Sequence, residues 1–416
     1  MIDSLLNLAY PAIQAVLPIG GTIFLGYLAW TLFTHYTKTR FISGIDWVLL
    51  EIKPPRDVSR SPRAMELFFT NAPYQITNKA FKSQYRKGHV RFWYSLEIAS
   101  IDGQVHFYIR VPSRLKNLVE TQMYAQYPQS EVVKVEDYTL AVDDISSTGD
   151  WNIWGCEFKL EKPDPFPIKT YVDFGLDKDP KEEFKVDPLS PLIELFGSIE
   201  KGEQMWVQIV IQASNKKYHG HDGKMHDFIK EAENTIAELS KDFTSTKDDG
   251  TKEIRKAPWL DPINEAIMNK TTKLTFDCGI RVAYVAKKTV FKSDNLRNIR
   301  LIFRQYAAPH LNSFSRTNSL GIANFYDKNA RALNIVKNRF LLEYQERNFF
   351  NHSLRSHFNF VWPISMFIPK YVHPHTFVLN TEELATIFHF PGQVIKVPGL
   401  ERVESKEASP PTNLPI

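Results

Sequence analysis

Cysteine is scarce in this sequence, because only Cys156 and Cys278 occur among its 416 residues. Two distant cysteines exclude a disulfide framework and a cysteine-based zinc site, and they are typical of a reducing compartment. The phosphate-binding pattern G-x-x-x-x-G-K-[ST] is also absent, so no nucleotide site of the Walker type is expected. No G-x-S-x-G motif supports a serine nucleophile. The sequence therefore predicts neither an enzyme nor a cofactor.

Formal charge is missing from residues 4–36. Within them, AVLPIGGTIFLGYLAWTLFTHY (residues 15–36) exceeds the roughly 20 residues that a helix needs to cross a bilayer core. The residues before it carry no lysine or arginine, and no small-residue cleavage site follows, which argues against a signal peptide. The sequence predicts a single transmembrane helix, with a buried core helix as the alternative.

Basic residues follow this span at Lys38 and Arg40. Positive charge marks the cytoplasmic side of a membrane helix. We therefore expect a single-pass membrane protein, with a short N-terminus outside and the remaining residues in the cytoplasm.

The net charge of +4 conceals strong segregation. Residues 53–91 contain nine basic and two acidic residues, residues 131–203 contain eighteen acidic and eight basic residues, and residues 281–316 contain eight basic residues and one acid. Basic segments attract the phosphates of lipids and of DNA. The candidate phosphate contacts are Lys82, Arg86, Lys87, Arg297, Arg300 and Arg304, of which the last three are spaced along a predicted helix at 293–309.

Alternating apolar residues predict a β-hairpin at 90–111, with its turn at Asp102-Gly103. A helix precedes it, and a helix and a strand follow it, an order that resembles a ferredoxin-like layer. The order partly recurs after residue 203, where strands at 203–212 and 273–286 enclose a helical insertion. The sequence therefore predicts an α+β protein with two ferredoxin-like units of mainly antiparallel sheet behind the transmembrane helix.

The expected organisation has five parts: a membrane anchor at 1–44, a first α/β unit at 45–145, an acidic proline-rich crossover at 146–202, a second unit with helical insertion and C-terminal helices at 203–390, and a linker-like tail at 391–416.

Histidines cluster in YHGHDGKMH, where His219, His221 and His226 are weak candidates for metal ligands. Two histidines separated by one residue, with a third nearby, can hold zinc. Because the segment also contains two glycines and a lysine, a solvated loop is the expected structure, and no metal site is predicted.

Several strings resemble one known family: DWVLLEIKPPRDVSRSPRAMELFFT, SLEIASIDGQVHFYIRVP, WGCEFKLEKPDPFPIKTYVDF and NTEELATIFHFPG. They resemble the membrane-proximal region, a domain of unknown function, of bacterial type IV secretion and conjugation ATPases of the FtsK- and HerA-like DNA translocases. The tail SKEASPPTNLPI resembles the linker that leads to the motor in those proteins, whereas the motor itself has no counterpart before Ile416.

This resemblance implies a non-catalytic assembly or docking module of a DNA- or protein-translocating machine. Its expected partners are the inner membrane, a separate or lost motor ATPase and further copies of the chain. The alternatives are a membrane-tethered DNA-binding protein and, less favoured, a metal-dependent enzyme.

Overall fold

The computed structural model of the chain describes residues 2–55, 60–74, 86–142, 145, 148–178, 186–214, 217–219, 225–241, 244–246, 252–254, 259–321, 331–347, 349–350 and 376–392. The chain divides into two compact units. The first comprises residues 1–46, 77–91 and 352–363, and the second comprises residues 47–76, 92–351 and 364–416.

In the described residues of the first unit there is one long helix, α1 (Ile2–Ser43), which includes the predicted span at 15–36 and extends past both of its ends. The side chains of α1 are described from Gly20 onward, and many of the large apolar ones are exposed. Among the described residues, no helix has the length and apolar character needed to cross a membrane.

The second unit is built on a nine-stranded antiparallel sheet. Its strands are β1 (Trp47–Lys53), β2 (Tyr94–Ile101), β3 (Gln104–Pro112), β4 (Glu131–Val135), β5 (Trp151–Leu160), β6 (Glu203–Ala213), β11 (Thr275–Lys287), β12 (Phe314–Thr317) and β13 (Phe377–Asn380). The order across the sheet is β12-β5-β11-β6-β2-β3-β1-β4. The ninth strand, β13, pairs with residues 275–278 of β11, next to the residues 280–287 that pair with β5. Two separate short ladders pair β7 (Lys217–His219) with β8 (Met225–Asp227) and β9 (Thr244–Thr246) with β10 (Lys252–Ile254).

Eight helices belong to the described part of this unit: α2 (Arg63–Asn71), α3 (Lys116–Gln126), α4 (Ser190–Gly197), α5 (Phe228–Lys241), α6 (Leu260–Thr272), α7 (Ser293–Ile299), α8 (Arg331–Glu346) and α9 (Thr381–Ile387). Helix α9 begins with a capping box, in which Asn380 and Glu383 each accept a hydrogen bond from the backbone N–H of the other.

The predicted hairpin is confirmed, because β2 and β3 pair through residues 95–110 and meet at the turn Asp102-Gly103. Both turn residues have positive φ, at 53° and 84°. Such a turn matches the twist of the two strands, and glycine adopts it without a steric penalty.

One face of the sheet is apolar across six strands. Strand pairing places one residue from each strand in a single row: Phe158, Ile280, Ile209, Leu96, Ile109 and Leu50. All six side chains are buried, as are Phe107 on the same face and the Phe388 ring that it contacts after α9. Burial of this face supplies the main driving force for folding.

The chain is therefore an α+β protein with a large antiparallel sheet, as its sequence predicts. Strand β5 lies inside the segment 146–202, for which the sequence predicts a crossover. Through its pairs with β11 and β12, this strand becomes an integral part of the sheet.

Candidate functional site

The opposite face of the sheet carries a continuous row of polar residues. The same pairings that align the apolar row align its neighbours Glu157, Arg281, Gln208, Glu97, Tyr108 and Glu51. Since side chains alternate between the faces of a strand, all six belong to one face. We call these residues the polar row.

Helix α8 covers the middle of the polar row. The side-chain amide of Gln208 donates to the carbonyl oxygen of Tyr344 at 2.9 Å. The Arg281 guanidinium donates to the carbonyl oxygen of Glu343 at 3.0 Å and to its carboxylate at 3.3 Å. The end of α8 is thus held to strands β6 and β11 by hydrogen bonds from buried side chains.

Arg347, directly after α8, joins two carboxylates from separate parts of the chain. Its guanidinium donates to both Glu97 oxygens at 2.9 and 3.1 Å, and it also donates to both Asp137 oxygens, one of them at 3.0 Å. Tyr138 donates to Glu97 at 2.8 Å. We call Arg347, Glu97 and Asp137 the Arg347 clamp.

Electrostatic interactions favour the charged forms of Arg347 and Asp137. Burial by itself would lower the pKa of Arg347, but Glu97 and Asp137 outweigh burial and raise it well above the ordinary value. Burial likewise opposes ionisation of Asp137, and the bonds and charge of Arg347 reverse the effect and lower the pKa of its carboxyl group. A buried ion pair persists where such additional hydrogen bonds satisfy its charges.

A second buried pair, Arg281 and Glu157, lies at one end of the polar row. The Arg281 guanidinium donates to Glu157 at 2.8 Å, and Asn318 donates to the same carboxylate at 2.6 Å. The Phe349 ring lies over the guanidinium, with 4.0 Å between the Arg281 Cζ atom and the ring centroid. The buried carboxylates of Glu157 and Glu97 therefore help to hold α8 on the sheet, through Arg281 and Arg347 respectively.

A half-open cavity of about 330 Å³ lies in the same unit, between the 167–173 segment, α6 and the start of α9. Lys273 on its wall donates to Glu66 at 2.8 Å and to Glu382 at 2.6 Å. Lys270, fully buried, pairs with Glu383 at 3.1 Å. The cavity is therefore bordered by ion pairs that join α2, α6 and α9.

Asp164 lies near this cluster and accepts a hydrogen bond from the Val378 N–H at 3.1 Å. Burial raises the pKa of Asp164 from 3.8 to about 7, with Lys270 opposing the rise and Glu231 and Glu383 adding to it. Between about pH 4 and about pH 7, Asp164 is therefore protonated in the folded state and ionised in the unfolded chain. Stability is therefore expected to fall as the pH rises from about 4 to about 7.

Replacement of Asp164 by asparagine should remove this pH dependence and keep the acceptor for Val378. The free energy of unfolding of the variant, relative to that of the native chain, should be higher at pH 8 than at pH 5.5. The expected increase is at least about 1 kcal/mol, because one pKa unit corresponds to about 1.4 kcal/mol. Urea denaturation at the two pH values measures the gain. An equal stability difference at both values would contradict the prediction.

The three predicted arginines do not form one exposed stripe on a single helix. Helix α7 ends at Ile299, so Arg297 is helical, Arg300 follows the helix and Arg304 begins a short 3₁₀ turn. Arg297 and Arg304 are exposed. Arg300 is half-buried because it stacks on Trp154, with 4.7 Å between its Cζ atom and the ring centroid.

The other predicted residues fall in three places. Arg86 and Lys87 are exposed in the first unit, whereas Lys82 and His221 lie outside the described residues. His219 and His226 lie on β7 and β8, in the paired register rows Tyr218–His226 and His219–Met225. No group of three or more histidine, cysteine or acidic residues suited to a metal ion occurs in the described parts of the chain.

Sequence reasoning missed the Arg347 clamp and the Arg281–Glu157 pair. A signal for the second pair was present, because Arg281 and Glu157 each stand between two apolar residues of a strand, and charged residues are almost never fully buried unless paired. No comparable signal marks Arg347, which lies next to the C-terminal end of a helix where arginine is common on the surface.

The family model described as a domain of unknown function, DUF8128, matches residues 33–400. The comparison with curated proteins gives no match.

Proposed function

The chain belongs to the DUF8128 family, and because that description assigns no activity, we propose a function from the architecture. The protein is a membrane-anchored, non-catalytic assembly and docking module of a type IV secretion- or conjugation-like translocation machine. It works in the bacterial inner membrane together with a motor ATPase. The apolar surface around α1 carries the anchoring part of this proposal. The translocation machine and its motor ATPase are what the resemblance of strings such as NTEELATIFHFPG to type IV secretion and conjugation ATPases implies.

Exposed apolar side chains occur on every side of α1. Ile23, Phe24 and Leu25 are 69%, 55% and 62% exposed, and Phe33 is 46% exposed. Because successive helical residues are separated by about 100°, these positions surround the helix axis. A helix that is apolar all round is stable when it is buried in protein or in a membrane.

The length of the uncharged segment agrees with a bilayer. Residues 4–36 of α1 would span roughly 50 Å as a helix, which exceeds the roughly 30 Å of a hydrocarbon core. Lys38 and Arg40 follow at one end, which favours a cytoplasmic location for the residues beyond them.

The sheet supports a second part of the proposal, that the module consists of two ferredoxin-like units. Each half of the sheet contains four strands, in the order β4-β1-β3-β2 in the first half and β12-β5-β11-β6 in the second. When the four strands of a half are numbered along the chain, both halves have the order 4-1-3-2. In both halves a helix follows the first strand and another follows the third strand, as in the ferredoxin-like arrangement. Pairing of β2 with β6 joins the halves into one sheet.

A continuous, clamped sheet is suited to docking. Glu97 and Asp137 belong to the first half and Arg281 and Glu157 to the second, and the region 331–347 binds residues of both. This arrangement should hold the relative orientation of the halves while partners bind at their surfaces. Further copies of the chain and the motor ATPase are the proposed partners.

Co-purification tests this function. The tagged full-length chain is cross-linked in cells of the bacterium that encodes it and then purified from detergent-solubilised membranes. We expect mass spectrometry to identify a RecA-type ATPase with a Walker A motif, which should be missing when an unrelated tagged inner-membrane protein is purified. If no such ATPase is recovered after cross-linking, the proposed docking role fails.

A membrane-tethered DNA-binding protein is the second candidate, because Arg297 and Arg304 are exposed within the basic segment 281–316. This function requires an affinity for duplex DNA that declines steeply with salt concentration. Fluorescence anisotropy with the solubilised full-length chain distinguishes it from the assembly function.

A further inference from the structure

Basic residues from two separate segments meet at the C-terminal end of α1. Lys38 and Arg40 belong to the last turns of the helix, and Arg86 and Lys87 belong to the segment 77–91 of the same compact unit. Arg40, Arg86 and Lys87 are exposed, and Lys38 is half-buried.

Glycine at position 88 permits the close approach of this segment to α1. Its φ is +66°, a conformation that glycine adopts readily. A Cβ atom on Gly88 would overlap the backbone carbonyl group of Thr37 and would lie 2.6 Å from the backbone nitrogen of Lys38. The backbone of the 86–89 segment therefore runs directly against α1 at Thr37 and Lys38.

A ring contact supports the same placement. The rings of Phe41 and His89 lie 4.5 Å apart, one helical turn beyond Thr37. Arg86 and Lys87 thus immediately precede two residues, Gly88 and His89, that contact the end of α1. Their positive charges add to those of Lys38 and Arg40 at this end of the helix.

The apolar part of α1 borders this basic group. Phe33 and Tyr36 are 46% and 60% exposed, and they precede Lys38 by five and two residues. A surface that is apolar and aromatic on one side and basic on the other matches the boundary between acyl chains and headgroups. DNA would satisfy the basic residues and leave the aromatic rings in water.

We propose that Lys38, Arg40, Arg86 and Lys87 form a collar that binds the phosphate headgroups of anionic phospholipids in the cytoplasmic leaflet. This inference rests on the proposed membrane anchoring by α1. The collar would fix the depth of α1 in the bilayer and would make the association selective for anionic lipids. A basic residue near an anionic surface contributes about fivefold to such binding.

Spin-labelled lipids test the collar. The full-length chain is reconstituted into phosphatidylcholine bilayers, and electron paramagnetic resonance measures the association of spin-labelled phosphatidylglycerol relative to spin-labelled phosphatidylcholine. We expect the native chain to prefer phosphatidylglycerol. The double variant Arg86→Gln, Lys87→Gln removes two such residues and should reduce this preference by more than about fivefold, or to none. The matched control Lys201→Gln, Lys241→Gln removes two exposed charges elsewhere and should preserve the preference.

The outcomes separate the collar from the anchor. If the chain inserts into bilayers but shows no lipid preference, or if both double variants reduce the preference equally, the collar is refuted and the anchor stands. If the chain does not insert, the proposed anchoring fails and the collar fails with it. If Arg86→Gln, Lys87→Gln weakens duplex DNA binding and leaves the lipid preference intact, these residues bind DNA instead.

Discussion

Replacement of Arg347 by methionine is expected to destabilise the second unit by about 3–5 kcal/mol. The guanidinium is fully buried and forms bonds to Glu97 and Asp137. Methionine would fill a similar volume and leave the buried Glu97 carboxylate without its cation. Loss of one partner of a buried ion pair costs more than the pair itself contributes, because the remaining charge is desolvated and unpaired. Urea denaturation followed by tryptophan fluorescence measures the loss.

Two further variants show whether the ion pair is responsible. The double variant Arg347→Met, Glu97→Gln removes the cation and its fully buried partner and leaves only Asp137, whose side chain is partly exposed. It should recover part of the stability that the single variant loses. Lys116→Met interrupts a partly exposed pair with Glu120 on the surface of α3 and should change the stability by less than about 0.5 kcal/mol. A loss for Arg347→Met as small as that of Lys116→Met would contradict the role of the clamp.

Replacement of Gly155 by valine is the second large effect, with an expected loss of about 3 kcal/mol. Valine favours strands, so β5 alone should tolerate it. However, a Cβ atom at Gly155 would overlap the Phe340 ring of α8 and would lie 2.8 Å from the Val282 carbonyl oxygen. Phe340 is fully buried, so its ring has little room to move. Thermal or urea unfolding measures the expected loss.

A compensating change distinguishes overlap from other causes. Phe340→Ala alone should be destabilising, but in combination with Gly155→Val it should cost less than the sum of the two single effects. Gly321→Ala is the matched control, since an added Cβ atom at Gly321 meets no heavy atom within 4 Å. Strict additivity of the two single changes would show that α8 does not pack against β5 at Gly155.

The strands with clear alternation were predictable from the sequence. Strands β2 and β3 alternate regularly and are joined by Asp102-Gly103, a turn sequence with strong conformational preferences. Strand β5 also places Trp154, Cys156 and Phe158 on one face, but its other face carries Gly155 and Glu157. Its acidic and proline-rich surroundings therefore made the segment resemble a connection.

Contacts between distant segments were not predictable. The helical pattern of residues 331–346 gives no indication that α8 covers a sheet, because the partner of Phe340 is a glycine 185 positions earlier. Similarly, the predicted helix at 293–309 ends at Ile299, and Arg300 stacks on Trp154 of β5. Tertiary contacts of this kind override local helical preference.

Membrane anchoring is the central claim, and alkaline carbonate extraction of isolated membranes tests it most directly. The full-length chain is compared with the variant Leu25→Lys, Leu28→Lys, because a lysine at the centre of a membrane helix opposes insertion by about 2.5–3.5 kcal/mol. We predict that the native chain remains in the membrane pellet at high pH and that the variant is released. Complete release of the native chain under the same conditions would contradict the account.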